Sequence, residues 1–549
     1  MPLRICLVVL ISLLSMAAGA ADKTTSESTE LNRVVDRIAA QESKNLEKLR
    51  QLSPIAETYV QQYKPDKDFG RIPIADHYFL ARVSFGKPGV KEQDLLSTSQ
   101  QPLPSKILRQ FLDIGVRNRT AWIPTGFAQM AILGSDFDRT HYDFTFDHRE
   151  FLGALRCLVF NVVPKAHSGG GKFLGQIWVE DRDYNIVRAN GSFIKPRDHG
   201  IYIHFDSWRA NAAPGVWVPA CIYGEESKIR LEGKLGALRS ETYFWFYGPS
   251  QHSQNELTAI LVDSRDGIRD QSTPGALSPI QTQRLWLLQA ENNILARMEQ
   301  AGILAPASEV DTVLQTVANN LIASNDLTID PEVRCRVLLT TPIEAFTVGH
   351  TIVLSRGLLD VLPDEAALAA VLAQQLSHII LAHDIDSSMA FSDRILFPDD
   401  QIFSRLLLKH DPQDQQAAAQ KARSLLDNSP YKEKLASAAV FFRQLELSRQ
   451  ALPNLVEPRL GDPLIPNSQP NPTGTETNLD PKSTQQVAAL PLGTRIELAP
   501  WTSRLTLNKA SSVEALTLRE KMPLQITPVR PYERYLDNQP AAVSSLGNP

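Results

Sequence analysis

The chain has 549 residues, 43% of them hydrophobic and 21% charged, enough apolar material for two or three cores. Its formal charge of −5 is spread without a basic run, which argues against a nucleic-acid partner and leaves no polybasic membrane patch. The cysteine count of 4 is too low for a disulfide framework. Met1 to Arg4 lead into an apolar run from Ile5 to Met16 and the small residues Ala17 to Ala21. This reads as an export signal over 1–21, too short for a permanent membrane span. Processing leaves Cys157, Cys221 and Cys335, an odd number, with a bridge between Cys157 and Cys221 left open by their shared β-rich region.

Residues 22–73 form an N-terminal segment whose apolar spacing (Leu31, Val34, Val35, Ile38, Leu46, Leu49) predicts a helix from Leu31 to about Tyr63. Over 74–270 the texture is strand and turn. Arg156 to Pro164, Phe173 to Glu180 and Tyr184 to Arg188 predict an antiparallel meander, turning at Asp181-Arg182-Asp183. Gly169 to Gly171 lack the Gly-Lys-Ser/Thr ending of a phosphate loop and read as a hairpin turn. Helices follow over 275–302 and from Ser308, its N-cap, to Ala323. Strands are expected at 333–340 and 350–355, then a buried helix from Pro363 to His383 and another from Gln415 to Leu426. Residues 460–492, rich in Pro, Asn, Ser and Gln, read as a flexible linker. Alternating Ile496-x-Leu498 and Leu505-x-Leu507 predict a small β appendage over 493–535, ahead of a disordered tail at 536–549.

The chemistry concentrates in Val371-Leu-Ala-Gln374-Gln375-Leu-Ser-His378. A His-Glu-x-x-His helix places two imidazoles on one face to hold zinc, with the Glu as base on the bound water. Here Gln374 stands at the first ligand position, Gln375 at the base position, and only His378 is retained. A carboxamide is a poor zinc ligand and takes no proton near neutral pH. His383 lies about 140° round the helix from His378 and is expected to diverge from it.

Around this motif stand Glu344-Ala345-Phe346, then Ser355-Arg356-Gly357-Leu358-Leu359, then Asp364-Glu365-x-x-Leu368-Ala369-x-Val371-Leu372-Ala373. In that order and spacing they resemble the zinc metallopeptidases of the HtpX and CAAX-prenyl-protease type over about 310–450. The resemblance implies an α+β, multidomain chain with a mostly helical zincin-like domain at 275–459. It implies a third ligand at Glu433, although Glu433-Lys434-Leu435-Ala436-Ser437 has Ser where the family has Asp. It also implies substrate capture along the strand carrying Ala345, Phe346, Gly349 and His350. Gly175 to Arg188 are similar to the strand, Asp-turn, strand pattern of outer-membrane lipoprotein-sorting domains, curved antiparallel sheets that hold acyl chains. On that likeness Phe160, Phe173, Trp178, Trp217 and Phe244 line either a lipid groove or a packed interior.

These readings make the chain an exported, periplasmic, bacterial pseudo-peptidase that binds envelope proteins or peptides, lipidated ones included, with no cofactor. Peripheral membrane association is compatible with this; oligomeric state is open. One alternative is an active zinc endopeptidase with atypical ligands drawn from His378, Glu433, His350 and His383. Another is a lipid or lipoprotein carrier acting through the β domain.

Overall fold

A computed structural model describes residues 29–67, 70–86, 89–96, 121–122, 127–168, 171–194, 201–231, 234–249, 279–383, 389–392, 398–465, 492–493, 495–508 and 524–536. The proposed signal over 1–21 and the tail beyond 536 lie outside these residues.

Helix α1 spans 29–49. The expected continuation to Tyr63 does not occur, because from Pro54 the spacing changes to period two. Ile55, Tyr59 and Tyr63 share one face of strand β1 (Leu52–Asp66), while Ala56 and Val60 point the other way. Strands β2 (Gly70–Gly86), β3 (Gly89–Asp94), β4 (Ala121–Trp122), β5 (Tyr142–Leu152), β6 (Leu155–Pro164), β7 (Lys172–Glu180), β8 (Ile186–Ile194), β9 (Ile201–Tyr202), β10 (His204–Ala213), β11 (Val216–Leu231) and β12 (Lys234–Pro249) follow. Ten of them build one antiparallel sheet in the order β3-β2-β1-β12-β11-β10-β8-β7-β6-β5. The Asp181–Asp183 turn is held by Glu180, whose carboxylate accepts the backbone N–H groups of Arg182, Asp183 and Asn185.

One face of the curved sheet buries Ala56, Val83, Phe160, Phe173, Phe205 and Phe244 against Val35, Ile38, Leu46 and Leu49 of α1. The other buries Tyr59, Trp178, Trp208, Trp217 and Trp245 in a core continuous with the helical half. The aromatics expected to line a groove or an interior are thus interior, and Phe173, Phe193 and Phe205 pack on one another at 5.3–6.2 Å. Cys157 and Cys221 are free, as is Cys335. The bridge left open in the sequence does not form, because β6 and β11 are separated by β7, β8 and β10, about 19 Å at normal strand spacing.

The helical half contains α2 (Pro279–Gln300), α3 (Glu309–Ser324), β13 (Arg334–Leu338), β14 (Ala345–Val348), β15 (Thr351–Ser355), α4 (Arg356–Val361), α5 (Glu365–Ile380), α6 (Ile402–Arg405), α7 (Pro412–Asp427), α8 (Leu435–Ser448) and α9 (Pro453–Val456). Ser308 caps α3 in a reciprocal capping box with Asp311, and Asp364 caps α5 through Ala367 N–H. Among the described residues no helix is long and apolar enough to cross a membrane.

Strands β16 (Ile496–Leu498) and β17 (Leu505–Leu507) pair as a hairpin. This is the small β appendage expected near the C-terminus, and it docks on the rest of the chain: Ile496, Leu505, Leu524 and Ile526 belong to the main core. Asp360 of α4 accepts the N–H groups of Arg495 and Ile496, and Gln61 of β1 bonds to Leu524 and Ile526.

The two halves are joined by buried charge. Glu57 of β1 accepts Tyr78 Oη at 2.8 Å, Thr341 N at 2.6 Å, Thr341 Oγ1 at 2.9 Å and an Arg356 guanidinium N–H at 2.7 Å. Arg356 also faces Asp360 at 3.8 Å and stacks over the Tyr243 ring at 4.3 Å.

Candidate metal centre

Helix α5 is wholly buried from Ala366 to His378. Its apolar Ala/Leu/Val run drives it into the core, which carries Gln374, Gln375 and His378 in with it. Gln374 and His378 lie one turn apart on one face. The Oε1 atom of Gln374 has no hydrogen-bond partner, and neither has Nε2 of His378.

His383 does not diverge from His378. Helix α5 stops at Ile380, and Ala382 takes a left-handed conformation (φ 52°), so that His383 N–H returns to the carbonyl of His378 and Ala382 N–H to that of Ile379. This closing turn folds the second imidazole back, and the two Nδ1 atoms share a hydrogen bond of 3.0 Å.

Two further residues join them that sequence reasoning missed. His410 precedes α7, and its ring stacks on His378 with centroids 3.9 Å apart. Asp462 follows α9 in what was expected to be a flexible linker; residues 460–465 are instead packed, and 466–490 lie outside the described residues. Leu408 N–H bonds to Leu460 C=O, which lays the two segments side by side. Asp462 Oδ1 accepts His410 N–H at 3.0 Å and Gln415 Nε2 at 2.9 Å, while Oδ2 accepts His410 Nδ1 at 2.6 Å. That last bond holds the ring by Nδ1, and Nε2 is buried and has no partner among the described residues. His378, His410 and Asp462 place ligand atoms within 4.8 Å of one another, all three buried. Burial, reinforced by the neighbouring His410 and His383 rings, pushes His378 down to about 3, so it is a neutral imidazole at neutral pH.

The other expected site residues are elsewhere. Glu433 is exposed in a short 3₁₀ turn. Its neighbours Tyr431 and Ser437 bond to Glu365 and Asp364, at the opposite end of α5 from His378. Thirteen helical residues separate those ends, about 20 Å at 1.5 Å per residue, so Glu433 does not reach His378. His350 sits in the β14–β15 turn after Gly349 (φ 55°), facing Glu291 at 4.0 Å. Ala345 and Phe346 are buried in β14, at the edge of the sheet β13-β15-β14.

That edge is covered by the chain itself. Leu455 C=O accepts Ile343 N–H, and buried Glu344, where the family has Asn, accepts Arg459 and Leu460 N–H through Oε2. A Cβ on Gly461 would lie 2.6 Å from Phe346 Cβ and 2.9 Å from Ala345 O. The first part of the strand expected to take substrate, Ile343 to Phe346, is therefore overlaid by residues 455–461.

The order of strands, the buried helix and its degenerate motif decide the comparison. Residues 308–418 match Peptidase family M48. No curated protein matches the chain. Among solved structures, a DUF1329 family protein from Desulfovibrio piger shares 9% identity and covers 40% of this chain and 95% of its own, with a TM-score of 0.22. A putative outer membrane lipoprotein-sorting protein domain from Vibrio parahaemolyticus does so at 9%, 40%, 94% and 0.22. These likenesses are too slight to say what the sheet binds. The zinc of a His-Glu-x-x-His helix does not fit the family positions of this M48 region: one imidazole is an amide, and the expected carboxylate is at the wrong end of the helix.

Proposed function

We propose that this chain is an exported pseudo-peptidase, a module that binds envelope proteins, unfolded or lipidated, without cutting them. The observation that carries the reading is Gln375: the position of the base is filled by a buried amide that neither takes nor gives a proton at neutral pH. The overlaid edge of β14 supports it, since an extended substrate would have to displace residues 455–461. Binding has a surface available in an apolar cleft of about 510 Å³ between α3, the start of α5 and the β16–β17 hairpin, lined by Val313, Leu314, Leu362, Leu368, Ile496 and Leu507.

The test is incubation of the mature chain with unfolded, fluorescently labelled casein and one equivalent of zinc, read by mass spectrometry and by anisotropy. Wild type should bind without producing fragments, and Val313→Asp should bind more weakly. Fragments made by wild type and lost in Gln375→Ala would overturn the reading.

A further inference from the structure

Three ligand-capable side chains from three separate places, the end of α5, the lead-in to α7 and the segment after α9, converge in a buried space. Only one of them, His378, stands at a position the M48 helix uses. Burial of this kind is costly unless polar atoms are satisfied. Yet, among the described residues, Nε2 of His378, Nε2 of His410 and Oε1 of Gln374 are all left without a partner. His410 Nδ1 and Asp462 Oδ2, 2.6 Å apart across a shared proton, are two ligand atoms that a divalent ion takes up in that proton's place, with His378 beside them.

We propose that His378, His410 and Asp462 form a relocated site for a divalent first-row transition ion such as zinc, displaced from the M48 position to one side of α5. Ligands on a tetrahedral ion with bonds of about 2.0–2.2 Å lie about 3.3–3.6 Å apart, so the present 4.8 Å span closes with a shift of about 1.3 Å and a tilt of the stacked His378 and His410 rings. His383 stands beside His378 as a third imidazole. Two imidazoles with a carboxylate suit zinc, cobalt or nickel, and not the all-oxygen sites of magnesium or calcium. The ion would be structural. It ties the end of α5 to the segment that overlays β14, and Gln375 offers no base to activate a water on it.

The experiment is metal analysis of the full mature chain after loading with Zn²⁺ and dialysis, together with the visible spectrum of the Co²⁺-loaded protein. About one ion per chain is expected, with d–d bands of low-symmetry coordination and a higher Tm than in EDTA. His410→Ala and His378→Ala should each weaken binding about 100-fold or more, while His148→Ala, an exposed histidine on β5, leaves it unchanged. Should His410→Ala fail to fold, the Co²⁺ spectrum and the EDTA-dependent Tm of wild type decide. Wild type that retains less than a tenth of an equivalent, shows no Co²⁺ band, or binds equally well as folded His410→Ala overturns the site. A metal-free protein that still binds casein uncut leaves the pseudo-peptidase reading standing, and a metal-loaded one that cuts overturns only that reading.

Discussion

Replacing Glu57 by Gln tests whether the sheet and the M48-matching half form one cooperative unit. The Glu57 carboxylate is fully buried and accepts bonds from Tyr78, Thr341 and Arg356. An amide keeps the shape and some acceptor capacity, but it turns N–H groups toward Arg356 and the Thr341 hydroxyl and removes the charge. Arg356 is then left to Asp360 at 3.8 Å and to Glu241, which burial pushes up to about 8 and so holds largely protonated. Breaking a buried pair from one side costs about 3–5 kcal/mol. Arg356→Met should cost more than Glu57→Gln, because it also strips Asp360 and the Tyr243 ring of their cation. The double variant should recover about 2 kcal/mol relative to the sum of the singles. Urea unfolding followed by tryptophan fluorescence reads this directly, since Trp217 and Trp245 are buried in the shared core. Losses below about 1 kcal/mol, or strict additivity of the two changes, would show that Glu57 does not couple the halves.

Other outcomes follow from single residues. Glu241 and Glu533 are both held up at about 8, chiefly by burial, with Asp360 and Glu57 adding at Glu241 and Glu497 adding at Glu533. Because the folded values exceed the ordinary 4.5, their contribution is complete below pH 4.5 and is lost as pH rises through 8. Glu241→Gln should therefore remove one group's share of the downward slope, of order 1.4 kcal/mol per pH unit, in denaturation midpoints measured from pH 5 to 8.5, a slope to which Glu92, held up at about 7 by burial, also contributes. A Cβ at Gly357 would run into the backbone of Thr341, so Gly357→Ala should lower Tm sharply, by far more than Gly215→Ala at an open turn whose nearest neighbour is the flexible end of Lys48. The double change Gln374→His, Gln375→Glu restores the motif letters yet should give no peptidase activity in a casein assay, because the chain at Glu433 packs at the opposite end of α5.

Much of the scaffold was legible because it is written in local periodicity. The Ser308 cap, the β13 and β15 strands, the Asp364 start of α5 and the Asp181–Asp183 turn stand where residue types demand them. The helix assigned to Leu31–Tyr63 ran too far because its apolar spacing was followed past Pro54, where it changes to alternation. The metal cluster was only one-third legible. His378 lies in a recognisable motif, but His410 and Asp462 sit in irregular segments, and the Gly461-Asp462-Pro463 sequence carries the signature of a turn. Tertiary hydrogen bonds bring them together, with no local pattern to announce it. Glu433 was chosen from a motif whose last residue had changed, and the chain at that point belongs to the other end of α5.

The final described segment, Leu524–Leu536, gives the order of synthesis a role in folding. Leu524 and Ile526 bond to Gln61 across 463 and 465 residues, Tyr535 to Glu180 across 355, and Leu536 to Asn211 across 325. No arrangement of the first five hundred residues makes these contacts, so strands β1, β7 and β10, all of which precede residue 250, reach their final packing only once this segment docks. Closures over such separations are slow to find. Until they form, apolar faces stay open to chaperones or to aggregation. Removing these last residues should therefore reduce the yield of folded protein out of proportion to the few side chains lost.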